Sequence, residues 1–150
     1  MATPNMLPLR GHALRRLFQR TPASIAGLHS SSRCRERYIN GSKTDFDKIV
    51  LQSSTDRVVL VDFHADWCGP CHALSPILNK LTTERTTGSG KPLDLITVDI
   101  DNEEAGGVAL AQEYKVRAIP TVVAFQGGKP LSQFVGALNE GGVADFLNKL

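Results

Sequence analysis

Two cysteines, in the run Trp67-Cys68-Gly69-Pro70-Cys71, stand where an apolar stretch ends and a helical segment begins. No other feature constrains the fold as strongly. The stretch before them, Val58-Val59-Leu60-Val61-Asp62-Phe63, is β-branched and nearly continuously apolar, the pattern of a strand covered on both faces. The segment after them, Ala73-Leu74-Ser75-Pro76-Ile77-Leu78, reads as helix. A buried strand therefore feeds a Cys-x-x-Cys turn that opens a helix. The first thiol sits at the helix N-terminus, where the dipole and free N–H groups favour a thiolate. The thiolate is the form that attacks disulfides, so the spacing predicts a dithiol/disulfide exchange site.

The remaining pattern alternates strands and helices. Tyr38-Ile39-Asn40 reads as a short strand, and Asp45 to Leu51 as a helix capped by Ser42 or Thr44 with acids in its first turn. Arg57 to Ala65 is a buried strand. A helix over residues 69–85 contains Pro76, which should kink it. Residues 86–92 form a loop, Leu93 to Ile100 a second central strand, and Glu103 to Tyr114 a helix. A strand from Ile119 to Phe125 turns at Gly127-Gly128 into a partner over Leu131 to Val135, and Glu140 to Leu150 closes as a helix. The order β-α-β-α-β-α-β-β-α implies an α/β fold: a central mixed sheet with helices on both faces.

Charge divides the chain. The net charge is +2, yet residues 1–37 hold seven Arg, no Lys and one acid, Glu36. The other residues hold 10 basic and 14 acidic side chains, a net of −4. In the extension, Leu9, Leu14, Leu17 and Phe18 can form an apolar stripe with Arg10, Arg15 and Arg16 off it, followed by Ser30-Ser31-Ser32. This composition predicts a mitochondrial transit peptide over residues 1–37, disordered and removed after import. No apolar run is long enough for a secretory core or a membrane span. The fold is assigned to residues 38–150. An acidic domain is a poor nucleic-acid binder once the basic extension is gone.

Of three cysteines, Cys34 falls in the extension, leaving Cys68 and Cys71. One pair cannot make a disulfide framework, and a reducing compartment suits a catalytic pair. Zinc needs about four ligands. Only Cys68, Cys71, His64 and His72 are on offer, so no metal is expected. Asp62 is a carboxyl inside an apolar strand, and burial should raise its pKa.

The chain resembles the thioredoxin family. The likeness is carried by Val61-Asp62-Phe63-x-Ala65-x-Trp67-Cys68-Gly69-Pro70-Cys71, by Pro76, by Ile119-Pro120-Thr121 and by Phe134-Val135-Gly136-Ala137-Leu138, in order. It covers residues 38–150, and the transit-like extension makes it similar to mitochondrial members. Thioredoxin is itself the reference case for this motif, with a potential about 90 mV below that of protein disulfide isomerase, or roughly 4 kcal/mol toward reducing others. The resemblance implies a thioredoxin fold and reduction of protein disulfides, with Cys68 as a partly exposed nucleophile and Cys71 as the deeper resolving thiol. It implies Asp62 as proton acceptor, Gly69-Pro70 as redox tuning, and a cis peptide bond before Pro120. Trp67, Ile119, Pro120, Val135, Gly136 and Ala137 would form the substrate-binding surface. Where the family often has Trp and Lys, this chain has His64 and Thr97. His64 either fills the space or relays a proton to Asp62. His72, four residues after Cys68, either steadies the thiolate or lies in solvent.

No cofactor is expected on the chain. Because no Gly-x-Gly-x-x-Gly occurs, reducing equivalents from NADPH would come through a separate flavoprotein, thioredoxin reductase. The resemblance further implies a monomer in the mitochondrial matrix, with substrates such as peroxiredoxins and methionine sulfoxide reductases. Two other functions stay open: a disulfide isomerase or oxidant, and a non-catalytic module that binds partners through the apolar surface around the dithiol.

Overall fold

The structure, a computed structural model, describes residues 35–150. The transit peptide expected over residues 1–37 therefore lies outside the described residues as far as residue 34, and Cys34 with it. Five strands form one mixed sheet: β1 (Arg37–Tyr38), β2 (Val58–His64), β3 (Leu93–Asp99), β4 (Thr121–Gln126) and β5 (Lys129–Val135). Their spatial order is β1-β3-β2-β4-β5. β1 and β2 run parallel to β3, whereas β4 is antiparallel to both β2 and β5. The helices are α1 (Lys43–Phe46), which continues as a π-helical turn (Asp47–Leu51), α2 (Gly69–Glu84), α3 (Gly107–Glu113) and α4 (Glu140–Asn148). Among the described residues, no helix is long and apolar enough to cross a membrane.

Alternation along β2 sorts two cores. Val58 and Leu60 face Leu74, Leu78 and Leu81 of α2 and Val143, Phe146 and Leu147 of α4. Val59, Val61 and Phe63 face Phe46 of α1, Val50 and Leu110 of α3. Both faces are buried, which is why the strand reads as a continuous apolar run rather than an alternating one. The mixed sheet with helices on both faces is the arrangement the element order implied.

Several boundaries differ from the sequence reading, each for a local reason. The first strand is Arg37–Tyr38 rather than 38–40, because Asn40 turns the chain at φ 50. Glu36 also joins the sheet edge: its N–H donates to Asp94 Oδ1 at 3.0 Å, and its carbonyl accepts the Leu95 N–H at 3.1 Å. Ser42, not Thr44, caps α1, in a reciprocal capping box with Asp45. The helix expected from Glu103 starts only at Gly107. Asn102 Oδ1 instead accepts the Ala105 N–H at 2.9 Å, and Gly106 adopts φ 80. Pro120 stands outside β4, which begins at Thr121.

Candidate active site

β2 and β3 end side by side, and the loops that leave them build the site. Cys68 is the N-cap of α2 and Cys71 lies in its first turn. Pro70 follows at the second helical position, where no backbone N–H is needed. The two sulfurs form a disulfide, with Cα atoms 5.3 Å apart. Cys71 N–H donates to Cys68 Sγ at 3.2 Å. A helix N-terminal amide is thus already aimed at the sulfur that would carry negative charge. The expected exposed and deep thiols are not distinguished in this oxidised state. Cys68 and Cys71 are 3% and 2% exposed, packed with Ala65 against Ile100 and Ile119. The neighbours before and within the motif, Trp67, Gly69 and Pro70, are the exposed ones.

Asp62 is fully buried, and neither carboxylate oxygen has a hydrogen-bond partner. Desolvation alone pushes its pKa up to about 7. It shares the face of β2 that packs under α2 and lies closer to the dithiol end than Leu60. Its register partners are Thr97 on β3 and Val122 on β4. Thr97 Oγ1 accepts the Asn40 N–H at 2.8 Å. Asn40 Oδ1 also meets His64 Nε2 at 3.0 Å. Asn40 therefore ties together the two residues that replace the family's Lys and Trp. His64 is bonded there and not to Asp62. Burial lowers the His64 pKa, opposed by Asp99 and Asp66.

His72 is exposed, and its Nε2–H donates to the Asp66 carbonyl at 2.7 Å rather than reaching a cysteine sulfur. Trp67 is 71% exposed, yet its indole N–H donates to Asp101 Oδ2 at 2.6 Å, which anchors the ring to the loop after β3. The Ile119–Pro120 bond is cis. Ile119 packs on the cysteines, and the Pro120 carbonyl accepts the Gly136 N–H at 2.8 Å. Val135, paired with Thr121, is 55% exposed, and Ala137 is also exposed. Trp67 thus stands directly before Cys68, and Ile119, followed by the Pro120 that binds Gly136, packs on the disulfide.

Residues 38–149 match the Thioredoxin family model. The chain belongs to the thioredoxin family. It is 38% identical over 130 residues to a mitochondrial thioredoxin of Rattus norvegicus, covering 87% of this chain and 72% of that one. It is also 38% identical over 84 residues to a bifunctional thioredoxin reductase/thioredoxin of Mycobacterium leprae, covering 56% of this chain and 17% of that one. A solved single-site mutant of a thioredoxin from Halobacterium salinarum superposes with a TM-score of 0.61 at 32% identity, over 76% of this chain and 89% of that one. Like other thioredoxins, the chain is a protein-disulfide oxidoreductase.

Asn40, Asp101 and Ile100 were missed in the sequence. Ile100 and Asp101 stand where a parallel strand ends, the usual place for site residues in α/β sheets, and that signal would have found them. Asn40-Gly41 is a turn dipeptide, but nothing in it announces contact with Thr97 and His64, which lie far along the chain.

Proposed function

We propose that this thioredoxin-family chain works as a reductant of protein disulfides in the mitochondrial matrix, recharged by a separate NADPH-dependent flavoprotein reductase. The observation that carries the direction of attack is the Cys71 N–H aimed at Cys68 Sγ. In the reduced chain the Cys68 thiolate attacks one sulfur of a substrate disulfide. A mixed disulfide forms and the first substrate thiolate leaves. The Asp62 carboxylate accepts the Cys71 proton, and Cys71 attacks Cys68 Sγ. The second substrate thiolate departs and takes up a proton, and the pair has lost two electrons. Gly69 and Pro70 set the ring between the sulfurs and hence its potential. Trp67, Ile119, Pro120, Val135, Gly136 and Ala137 receive the substrate segment. His64 and His72 act at most on the surroundings, since each is held by another oxygen.

The fusion of reductase and thioredoxin in the Mycobacterium leprae relative supports a reductase partner. The Arg-rich extension supports import, and the match to the rat mitochondrial protein is long enough to take in part of that extension. The test couples NADPH oxidation to insulin disulfide reduction through purified thioredoxin reductase. Cys68→Ser should abolish turnover, Cys71→Ser should accumulate a mixed disulfide, and Asp62→Asn should slow the resolving step by about 10²-fold. Absence of turnover, or a glutathione equilibrium near the isomerase potential, would overturn the reading.

A further inference from the structure

The surface beside Pro120 is chemically different from the one beside Trp67. A cavity of about 150 Å³ opens there, lined by Lys115, Arg117 and Ala118 of the loop after α3 and by Thr121, Gln133 and Val135 of the strands. Thr121 follows Pro120 directly and pairs with Val135, so the cavity begins one residue from the dithiol surface. Lys115 and Arg117 are exposed, and neither takes part in an ion pair among the described residues. The acid nearest in sequence, Glu113, reaches Lys43 instead, at 3.7 Å. The cavity lining contains no acid.

The backbone that carries these cations is held in place by its own hydrogen bonds. Lys115 adopts φ 54, its N–H donates to the Gln112 carbonyl at 3.1 Å, and the Val116 N–H donates to the Ala111 carbonyl at 2.8 Å. Thr121 Oγ1 donates to the Ala118 carbonyl at 2.7 Å and fastens the loop to β4. A fixed loop leaves only side-chain freedom to be lost on binding. Beside Trp67, by contrast, Asp66 and Asp101 are exposed, in a domain whose net charge is negative. The surface next to Trp67 is therefore acidic, and the one next to Pro120 basic.

We propose that Lys115 and Arg117 make the cavity a subsite for an acidic side chain that flanks the attacked cysteine of a protein substrate. The inference rests on the disulfide-reductase reading. An extended segment advances about 3.3 Å per residue, so a Glu or Asp two or three positions from its cysteine stands about 7–10 Å from the attacked sulfur. The neutral Gln133 amide adds a donor there without adding charge. An acidic residue directed to the Trp67 side instead meets Asp66 and Asp101.

The test follows reduction of three peptide disulfides, alike except that the cysteines are flanked by Glu, Gln or Lys, by the fully reduced chain. At low salt the Glu peptide should react about fivefold faster than the Gln peptide, and the Lys peptide more slowly, with the spread collapsing near 1 M salt. Lys115→Gln with Arg117→Gln should bring the Glu-to-Gln ratio to about one, and Lys115→Gln with Arg117→Glu should invert it, whereas Arg85→Ala, at the far end of α2, should leave it intact. Equal rates for Glu and Gln peptides, or a preference that survives the double substitution, would overturn the subsite. Failure to reduce any of the three would remove the reductase reading itself.

Discussion

Asp62 is held in a place that suits its neutral form. Its pKa of about 7 lies some 3 units above the ordinary 3.8. Below about pH 4 the carboxyl is protonated in both folded and unfolded chains and contributes nothing to stability. Between pH 4 and 7 the unfolded chain ionises while the folded one keeps its proton, so a cost grows. Above pH 7 both are ionised and the cost is constant, at about 4 kcal/mol for a shift of this size. Asp62→Asn should therefore leave stability unchanged near pH 4 and raise it by up to about 4 kcal/mol at pH 8, as read by urea unfolding of the oxidised protein. A loss of stability at pH 8 would mean the carboxylate is paired after all, and a gain independent of pH would mean its pKa is not raised. Much at this scale was legible in the sequence: an acid in an otherwise apolar strand announces its own burial. The posture of the cysteines was not, since the near-equal burial of Cys68 and Cys71 depends on Ile100 and Ile119, which the fold brings from two other loops.

At the scale of elements, Gly107 decides where α3 begins and so where Asp101 stands. A Cβ on Gly107 would lie 1.8 Å from the Asp99 carbonyl oxygen, a contact with backbone that no rotamer can relieve. Gly107→Ala should cost at least about 2 kcal/mol in thermal or urea unfolding and release Trp67 from Asp101. Gly69→Ala is the contrast: a Cβ there meets nothing within 4 Å, so stability should hold or rise slightly at a helical position. Equal losses for the two would show that the close approach at Gly107 is not what matters. Helix periodicity could not reveal this start. The acids and alanine before Gly107 look helical, and only the turn that Asn102 closes, packed on β3, ends the pattern. Strand β2, by contrast, is a long apolar run whose covering on both faces leaves the sequence little ambiguity.

At the scale of the molecule, the sheet takes in more of the N-terminal side than the charge boundary indicated. Asp94, buried and paired with Arg57, also accepts the Glu36 N–H, and the Glu36 carbonyl binds β3. A chain trimmed to begin at Tyr38 loses both bonds and Arg37 of β1, so it should be about 1–3 kcal/mol less stable than one beginning at Arg35, as measured by urea midpoint at constant slope. Equal midpoints would place the structural boundary where the charge changes. Composition could separate a basic extension from an acidic domain. It could not assign the few residues between them, because edge pairing is made by backbone groups that carry no residue signature.

The two outer strands of the sheet have a further consequence. β1 is only two residues long, and β5 carries Lys129 and Pro130 opposite a register shift between Ala124 and Phe125. A neighbouring chain seeking to add its own strand finds a stub at one side and an interrupted, charged rail at the other. Edges of this kind disfavour strand addition by a second molecule, the route by which open sheets zip into fibrils.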